Sequence, residues 1–174
     1  MRLLMLLSFF LYSLVAPINA SALNIQCAFG NYKNYSTAQE QWQRGLTDLI
    51  VKTNGNLKDV ASMYLADQLN YIEMNLIAIE FTLRHNPSKI RTDAPINQWL
   101  DLDSDNKLAI AKISNRYAEL LNLANAAKRR PSHPDGEALR MLMRNRIVKT
   151  TEYQNLLSEF NRVVANMNSN ACGA

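Results

Sequence analysis

The sequence predicts an all-α protein, a helical bundle of about four main helices. Apolar residues recur at steps of three and four along most of the chain, as they do on one face of a helix. Glycine and proline number five each and lie mostly between these periodic segments. No segment has the alternation of apolar and polar residues that is typical of a half-buried strand. Helices that each carry one apolar stripe pack together as a bundle.

The first helix is predicted over residues 36–53. Ser36 and Gln39 have the spacing of a capping box, in which two side chains bond the free N–H groups of a helix start. The Asn54-Gly55 pair then ends the helix, because both residues are favoured just beyond a C-terminus. One side of the segment is apolar, with Trp42, Leu46, Leu49 and Ile50.

The second helix is predicted over residues 57–85, with Asn56 as its N-cap. Its apolar positions follow steps of four and three, the pattern of a bundle seam: Leu65, Leu69, Ile72, Leu76, Ile79 and Leu83. Asn86 precedes Pro87 and therefore avoids the helical region, which ends the helix. Residues 87–102 then form a long connection that contains Trp99.

The third and fourth helices are predicted over residues 104–128 and 135–167, on either side of a turn that contains Pro131 and Pro134. The stripe of the third helix consists of Ile110, Ile113, Tyr117, Leu120, Leu121 and Ala124. The stripe of the fourth consists of Leu139, Met143, Ile147, Leu157, Phe160, Val164 and Met167.

Residues 1–22 have the features of a secretory signal peptide. Arg2 precedes an apolar run over residues 3–15, and Ala20-Ser21-Ala22 fits a cleavage site between small residues. We therefore expect an exported protein, periplasmic or secreted, with one helical domain over 23–174. Cys27 and Cys172 are the only cysteines, and in an exported chain they are expected to form a disulfide bond.

Charge is unevenly distributed along the chain. Residues 23–105 carry seven Lys and Arg against ten Asp and Glu, whereas residues 106–174 carry eleven against five. A basic half suits a small anionic ligand, an acidic protein partner or an anionic lipid surface. Lys128-Arg129-Arg130 is the only tight basic run, and contact with a membrane surface through it and through the arginines of the fourth helix is the weaker hypothesis. No aromatic residues are interleaved with this run, so nucleic acid is not an expected partner.

The segment DLDSDNKLAIAKISNR, residues 101–116, begins with three alternating aspartates, as a calcium-binding EF-hand loop does. That loop needs Gly at its sixth position and Glu at its twelfth, and here these are Asn106 and Lys112. A helix start explains the same aspartates, because carboxylates accept from free N–H groups and oppose the helix dipole. The sequence therefore predicts a helix start at this position and no metal site.

The same segment resembles a helix of the secreted, all-helical chorismate mutases, in which Asp-Leu is followed by a basic residue, small and apolar residues, and Asn. The matching positions are Asp101, Leu102, Lys107, Ala109, Ile110, Ile113 and Asn115. MYLADQLNYIE at 63–73 and AQEQWQRGL at 38–46 resemble two further motifs of the family. The resemblance covers roughly residues 38–120, and an export signal and an all-helical fold agree with it.

The resemblance implies a set of site residues on this chain. Lys107 stands at a family arginine, Gln43 matches a family glutamine, and Glu73 matches a family carboxylate. Lys33 corresponds to a loop lysine if several residues are deleted. Gln39 stands where the family has a substrate-clamping arginine, so that one charge is missing. The candidate replacements are Arg44, Arg116, Arg140, Arg144 and Arg146.

The chemistry implied by the resemblance needs no nucleophile and no cofactor. Chorismate is a dianion that rearranges to prephenate within one molecule, so cations hold its carboxylates and a donor stabilises the charge on its ether oxygen. With an incomplete set of cations, we expect weakened or lost mutase activity, or a site that binds another small anion. The alternative is a non-enzymatic interaction protein of the cell envelope, such as an inhibitor, an immunity protein or a chaperone-like partner. A homodimer is also left open.

Overall fold

A computed structural model describes residues 23–169 and Cys172. The described residues form six α-helices and no strand, which confirms the all-α bundle. Short 3₁₀ turns lie at 55–57, 87–89, 96–98 and 147–149. The helices are α1 (Ile25–Thr53), α2 (Lys58–His85), α3 (Ser104–Ile113), α4 (Asn115–Arg129), α5 (Gly136–Asn145) and α6 (Thr151–Ser169).

Helix α1 begins eleven residues earlier than predicted, so the capping box at Ser36 was wrong. The N-cap is Asn24, whose side-chain oxygen accepts the Cys27 N–H at 3.0 Å. Ser36 lies inside the helix and is 2% exposed. The additional turns form because Ala28, Tyr32 and Tyr35 continue the buried stripe of the helix toward its N-terminus. The spacing of Ser36 and Gln39 therefore predicted a helix start that is not present, because burial of the preceding residues extends the helix toward its N-terminus.

The third predicted helix is divided into α3 and α4 at Ser114. Ser114 has extended backbone angles, φ −115° and ψ 107°, and its hydroxyl oxygen accepts the Tyr117 N–H at 3.2 Å. Serine is a favoured N-cap because its side chain satisfies a free N–H group in this way. The predicted start at Ser104 is confirmed, with Asp103 as the N-cap. The continuous helix over 104–128 is wrong because the extended backbone at Ser114 ends α3 and its capping side chain starts α4.

The fourth predicted helix is likewise divided, into α5 and α6. Arg146 leaves the helical region, and a 3₁₀ turn follows in which Ile147 is fully buried. The Thr150 hydroxyl oxygen then accepts the Tyr153 N–H at 3.2 Å, at the start of α6. The continuous helix over 135–167 is wrong because burial of Ile147 and this capping contact interrupt it.

Helix α2 is the central helix of the bundle, and it contributes to three apolar clusters. Its C-terminal part packs with the start of α1, the connection around Trp99 and α6. Its N-terminal part packs with the end of α1, with α5 and with Ile147. On another side, Met74 and Ala78 pack against α3 and α4. Helix α2 therefore separates the α1–α6 side of the molecule from the α3–α4 side.

The two ends of the described chain are joined. The expected disulfide between Cys27 and Cys172 is present, with Cα atoms 5.6 Å apart. Around it, the Asn24 N–H donates to the Cys172 carbonyl at 2.9 Å, and the Asn31 amide donates to Cys172 Sγ at 3.1 Å. The predicted signal peptide lies outside the described residues. Among the described helices, none is long and apolar enough to cross a membrane.

Candidate functional site

A cavity of about 550 Å³ lies between α2, the chain that follows Trp99, α3 and α4. Its size is typical of small-molecule sites, which range from about 300 to 1,000 Å³. One part of its lining is polar: Asn75, Asp101, Ser104, Lys107, Asn125 and Lys128. The other part is apolar or aromatic: Tyr71, Met74, Leu100, Leu102, Leu108, Tyr117, Leu121 and Ala124. The site can therefore contact both the charge and the carbon skeleton of a ligand.

Lys107 reaches the cavity because of how α3 begins. The side chain of Asp103 accepts the Asn106 N–H at 2.8 Å, and this hydrogen bond lowers the pKa of the Asp103 carboxyl. The cap sets the first turn of α3, in which Ser104 and Lys107 are three positions apart and share a face. Both residues line the cavity. The helix start predicted at residues 101–105 thus places the lysine that the sequence singled out.

Helix α4 supplies the second lysine. Leu121, Asn125 and Lys128 follow at steps of four and three, so they form one stripe along the helix. Tyr117 continues the stripe, is 1% exposed, and has its pKa raised by burial. Lys128 is the last member of the stripe, one turn beyond Ala124. This spacing positions an ammonium group, an amide and apolar carbon on the same wall.

Neither lysine side chain forms an ion pair or hydrogen bond within the described part of the molecule. Several arginines, in contrast, form ion pairs: Arg130 pairs with Asp67, Arg140 with Glu137, and Arg162 with Glu159. Asp101 is the carboxylate of the cavity lining, and it is not in ion-pairing contact with either ammonium group. The cavity lining therefore includes two lysines without a direct ion-pair partner, of which Lys107 is half-buried and Lys128 is exposed.

The structure brings two other predicted site residues together, but not at the cavity. Arg116 donates from Nε to Glu73 Oε1 at 2.7 Å and from Nη2 to Oε2 at 2.6 Å. Its third nitrogen, Nη1, donates to Glu119 at 2.8 Å. The hydrogen bonds from Arg116 hold the pKa of the Glu73 carboxyl below its usual value. This partly exposed bridge joins α2 to α4, and neither Glu73 nor Arg116 lines the cavity.

The remaining predicted site residues lie on α1. This helix packs against α2 and α6, whereas the cavity is bounded by α2, α3 and α4. Lys33 and Arg44 are exposed, and Gln39 and Gln43 are half-buried. None of the four is among the residues that line the cavity with Lys107.

Sequence reasoning did not include Asn75, Asn125 and Lys128 in the site. Lys128 was noted only as part of a basic run, whereas its side chain lines the cavity wall. A usable signal for the two asparagines is their position beside the apolar stripes of α2 and α4, next to Met74 and Ala124. Many polar residues lie beside an apolar stripe, however, and the packing of the helices decides which of them line the cavity.

No protein-family model, curated protein or solved structure matches this chain. Function is therefore inferred from the geometry of the cavity and from the motifs in residues 38–120.

Proposed function

We propose that the protein binds a small organic anion in the cavity between α2, α3 and α4. The observation that carries this proposal is the pair of lysines, Lys107 and Lys128, that lines one cavity without ion-pair partners. The ammonium group of the half-buried Lys107 attracts an anion more strongly than one in bulk water, because the local dielectric is lower, whereas the exposed Lys128 adds a weaker, solvent-screened attraction. A bound carboxylate would supply the missing counter-charge.

The other side chains indicate the shape of that ligand. Asn75 and Asn125 provide amide donors and acceptors, while Leu121, Met74 and Tyr71 provide apolar surface. A ligand with an acidic group and a compact carbon skeleton would satisfy both parts of the lining, in the way that small-molecule sites usually work. Inorganic phosphate would use the lysines but leave the apolar wall uncovered.

Within this class, the chorismate mutase-like sequence motifs make chorismate the first ligand to test. Two lysines could each meet one carboxylate of this dianion, and the rearrangement requires no cofactor. Lysine lacks the bidentate fork of arginine, so a clamp of two lysines orients a carboxylate less tightly. Weak mutase activity, or binding without turnover, is the form of this function that we propose.

A non-enzymatic role is the second candidate, and the pair formed by Glu73 and Arg116 favours it. The carboxylate that the mutase resemblance assigns to the site is bonded to an arginine outside the cavity. The protein would then act through ligand-dependent binding of a partner in the cell envelope. The Cys27–Cys172 bond supports an exported location, periplasmic or secreted, because disulfides persist in oxidising compartments.

Titration calorimetry with oxidised protein from an exporting host tests the binding proposal. We expect chorismate, prephenate or benzoate to bind, and Lys107→Ala and Lys128→Ala each to weaken binding about tenfold or more, because each removes a charge-assisted contact. Lys112→Ala is the matched control, since Lys112 is an exposed lysine of α3 outside the cavity lining. Equal losses in all three variants, or no binding of any organic anion, would reject the site.

The mutase proposal has a separate test. The ultraviolet absorbance of chorismate falls as it rearranges, and the rate with protein is compared with the rate in buffer. Acceleration that Lys107→Ala abolishes supports catalysis at the cavity. Binding without acceleration leaves the anion-binding role and removes the mutase role.

A further inference from the structure

The cationic segment, which we define as residues 140–149, presents a strongly basic surface outside the cavity. It contains Arg140, Arg144, Arg146 and Lys149, all exposed, and no acidic residue. Arg140 pairs with Glu137 of the preceding turn. Arg144, Arg146 and Lys149 form no ion pair with any residue that the structure describes. Three cations thus remain available on one short stretch of chain.

The segment is anchored to the core. Leu139, just before it, is 9% exposed, and Ile147 within it is fully buried, both in the cluster formed with α1 and α2. Leu142 and Met143 pack against the same cluster. Since α5 uses one side for this packing, Arg140, Met141 and Arg144 are directed outward. The exposed cations are therefore presented by a rigid support.

Met141 is 46% exposed between these arginines. Interfacial membrane contacts combine cations that face acidic headgroups with apolar side chains that enter the bilayer. On α5 the exposed apolar side chain is Met141, because Leu139, Leu142 and Met143 pack into the core. The cations attract acidic headgroups, and the apolar side chain enters the boundary of the acyl chains. An interface for a protein partner would more typically include Tyr or Trp, and residues 136–149 contain neither.

From these observations we infer that the cationic segment binds the surface of an anionic lipid bilayer, with Met141 inserted among the headgroups. This contact does not depend on the function of the cavity. It uses Arg144, Arg146 and Lys149, which lie outside the basic run at 128–130. The proposed contact lies at the headgroup surface and does not require a helix to span the bilayer.

Vesicle flotation tests this inference with oxidised protein and phosphatidylcholine vesicles, with or without phosphatidylglycerol. We expect binding only when phosphatidylglycerol is present, with loss at high salt. The variant Arg144→Ala/Arg146→Ala/Lys149→Ala should bind on the order of a hundredfold more weakly, at about fivefold for each cation. The matched control is Lys33→Ala/Arg91→Ala/Lys112→Ala, which removes three exposed cations from other elements and should retain binding.

A second pair of variants tests the role of Met141. Met141→Ser should weaken vesicle binding severalfold, whereas Leu123→Ser, at a similarly exposed position on α4, should not. Circular dichroism confirms that each variant is folded.

Absence of binding to phosphatidylglycerol vesicles, or equal losses in both triple variants, would overturn the inference. Equally tight binding to polyglutamate with no effect of Met141→Ser would also overturn it and would indicate an acidic protein partner.

Discussion

The side chain of Asn168 accepts a hydrogen bond from the Ile96 backbone N–H at 2.9 Å, although the two residues are 72 positions apart in the chain. Asn168 belongs to the last turn of α6, and Ile96 is fully buried in the connection between α2 and α3. Leu100, Asp101 and Leu102, which follow in the same connection, form one wall of the cavity. One contact at the end of α6 thus supports the chain that shapes the candidate site.

Asn168→Ala should lower the free energy of unfolding by about 1–3 kcal/mol, because it leaves the buried Ile96 N–H without an acceptor. Denaturant unfolding measures this loss. In a Trp42→Phe background, the fluorescence of Trp99, which is 4% exposed in the same connection, should also indicate greater solvent access. Asn161→Ala is the control, since Asn161 is an exposed residue of the same helix. Equal effects of the two substitutions would show that the hydrogen bond contributes nothing specific.

Loss of the disulfide should destabilise the protein markedly. Cys27 and Cys172 are 145 positions apart, and closing a loop of that length contributes about 4–5 kcal/mol in the chain-entropy model. We expect Cys27→Ser/Cys172→Ser to unfold at a lower denaturant concentration than the oxidised wild type, and reduced wild type to match the variant. If the oxidised and reduced proteins unfold at the same midpoint, the cross-link does not stabilise the fold.

The pairing of Glu73 with Arg116 should make stability depend on pH in the acid range. The folded-state pKa of Glu73 is lowered, so its contribution is present above the unfolded pKa of about 4.3 and is lost as pH falls through the folded value. Glu73→Gln should therefore be less stable than wild type near neutral pH, and the difference should disappear in acid. Glu40→Gln, which removes a carboxylate without an ion-pair partner from the middle of α1, should show no such convergence.

Ser36→Ala should stabilise the protein. The Ser36 hydroxyl is buried and has no hydrogen-bond partner among the described residues. Its removal relieves the cost of an unsatisfied polar group, and alanine is the better helix former, so we expect a gain of about 1 kcal/mol. Thermal and denaturant unfolding measure the change, with Ser62→Ala on the exposed side of α2 as the control for helix propensity alone. A destabilised Ser36→Ala protein would indicate that the hydroxyl has a partner.

The sequence by itself determined the class of the fold and several local features. Periodic apolar stripes and sparse glycine and proline predicted helices, because burial of one face imposes that spacing. The end of α2 at Asn86 followed from the backbone restriction on the residue before proline. The end of α1 was also predicted at the right position, although Asn54 is extended and does not adopt the left-handed conformation of a typical Asn or Gly cap. The start of α3 followed in the same way from the capping chemistry of its aspartates. The disulfide was expected because the only two cysteines belong to a chain that we predict to be exported, and the structure contains the bond.

Only the tertiary structure decided where the long helices divide and which polar residues share a space. Ser114 and Thr150 suit a helix interior poorly, but the sequence does not show that the chain turns there, because packing of Tyr117 and Ile147 selects the break. Lys107 was singled out from sequence, whereas its neighbours Asn75, Asn125 and Lys128 come from two other helices. Residues distant in sequence become neighbours only through the packing of α2, α3 and α4, and helical periodicity specifies a buried face without specifying its partner.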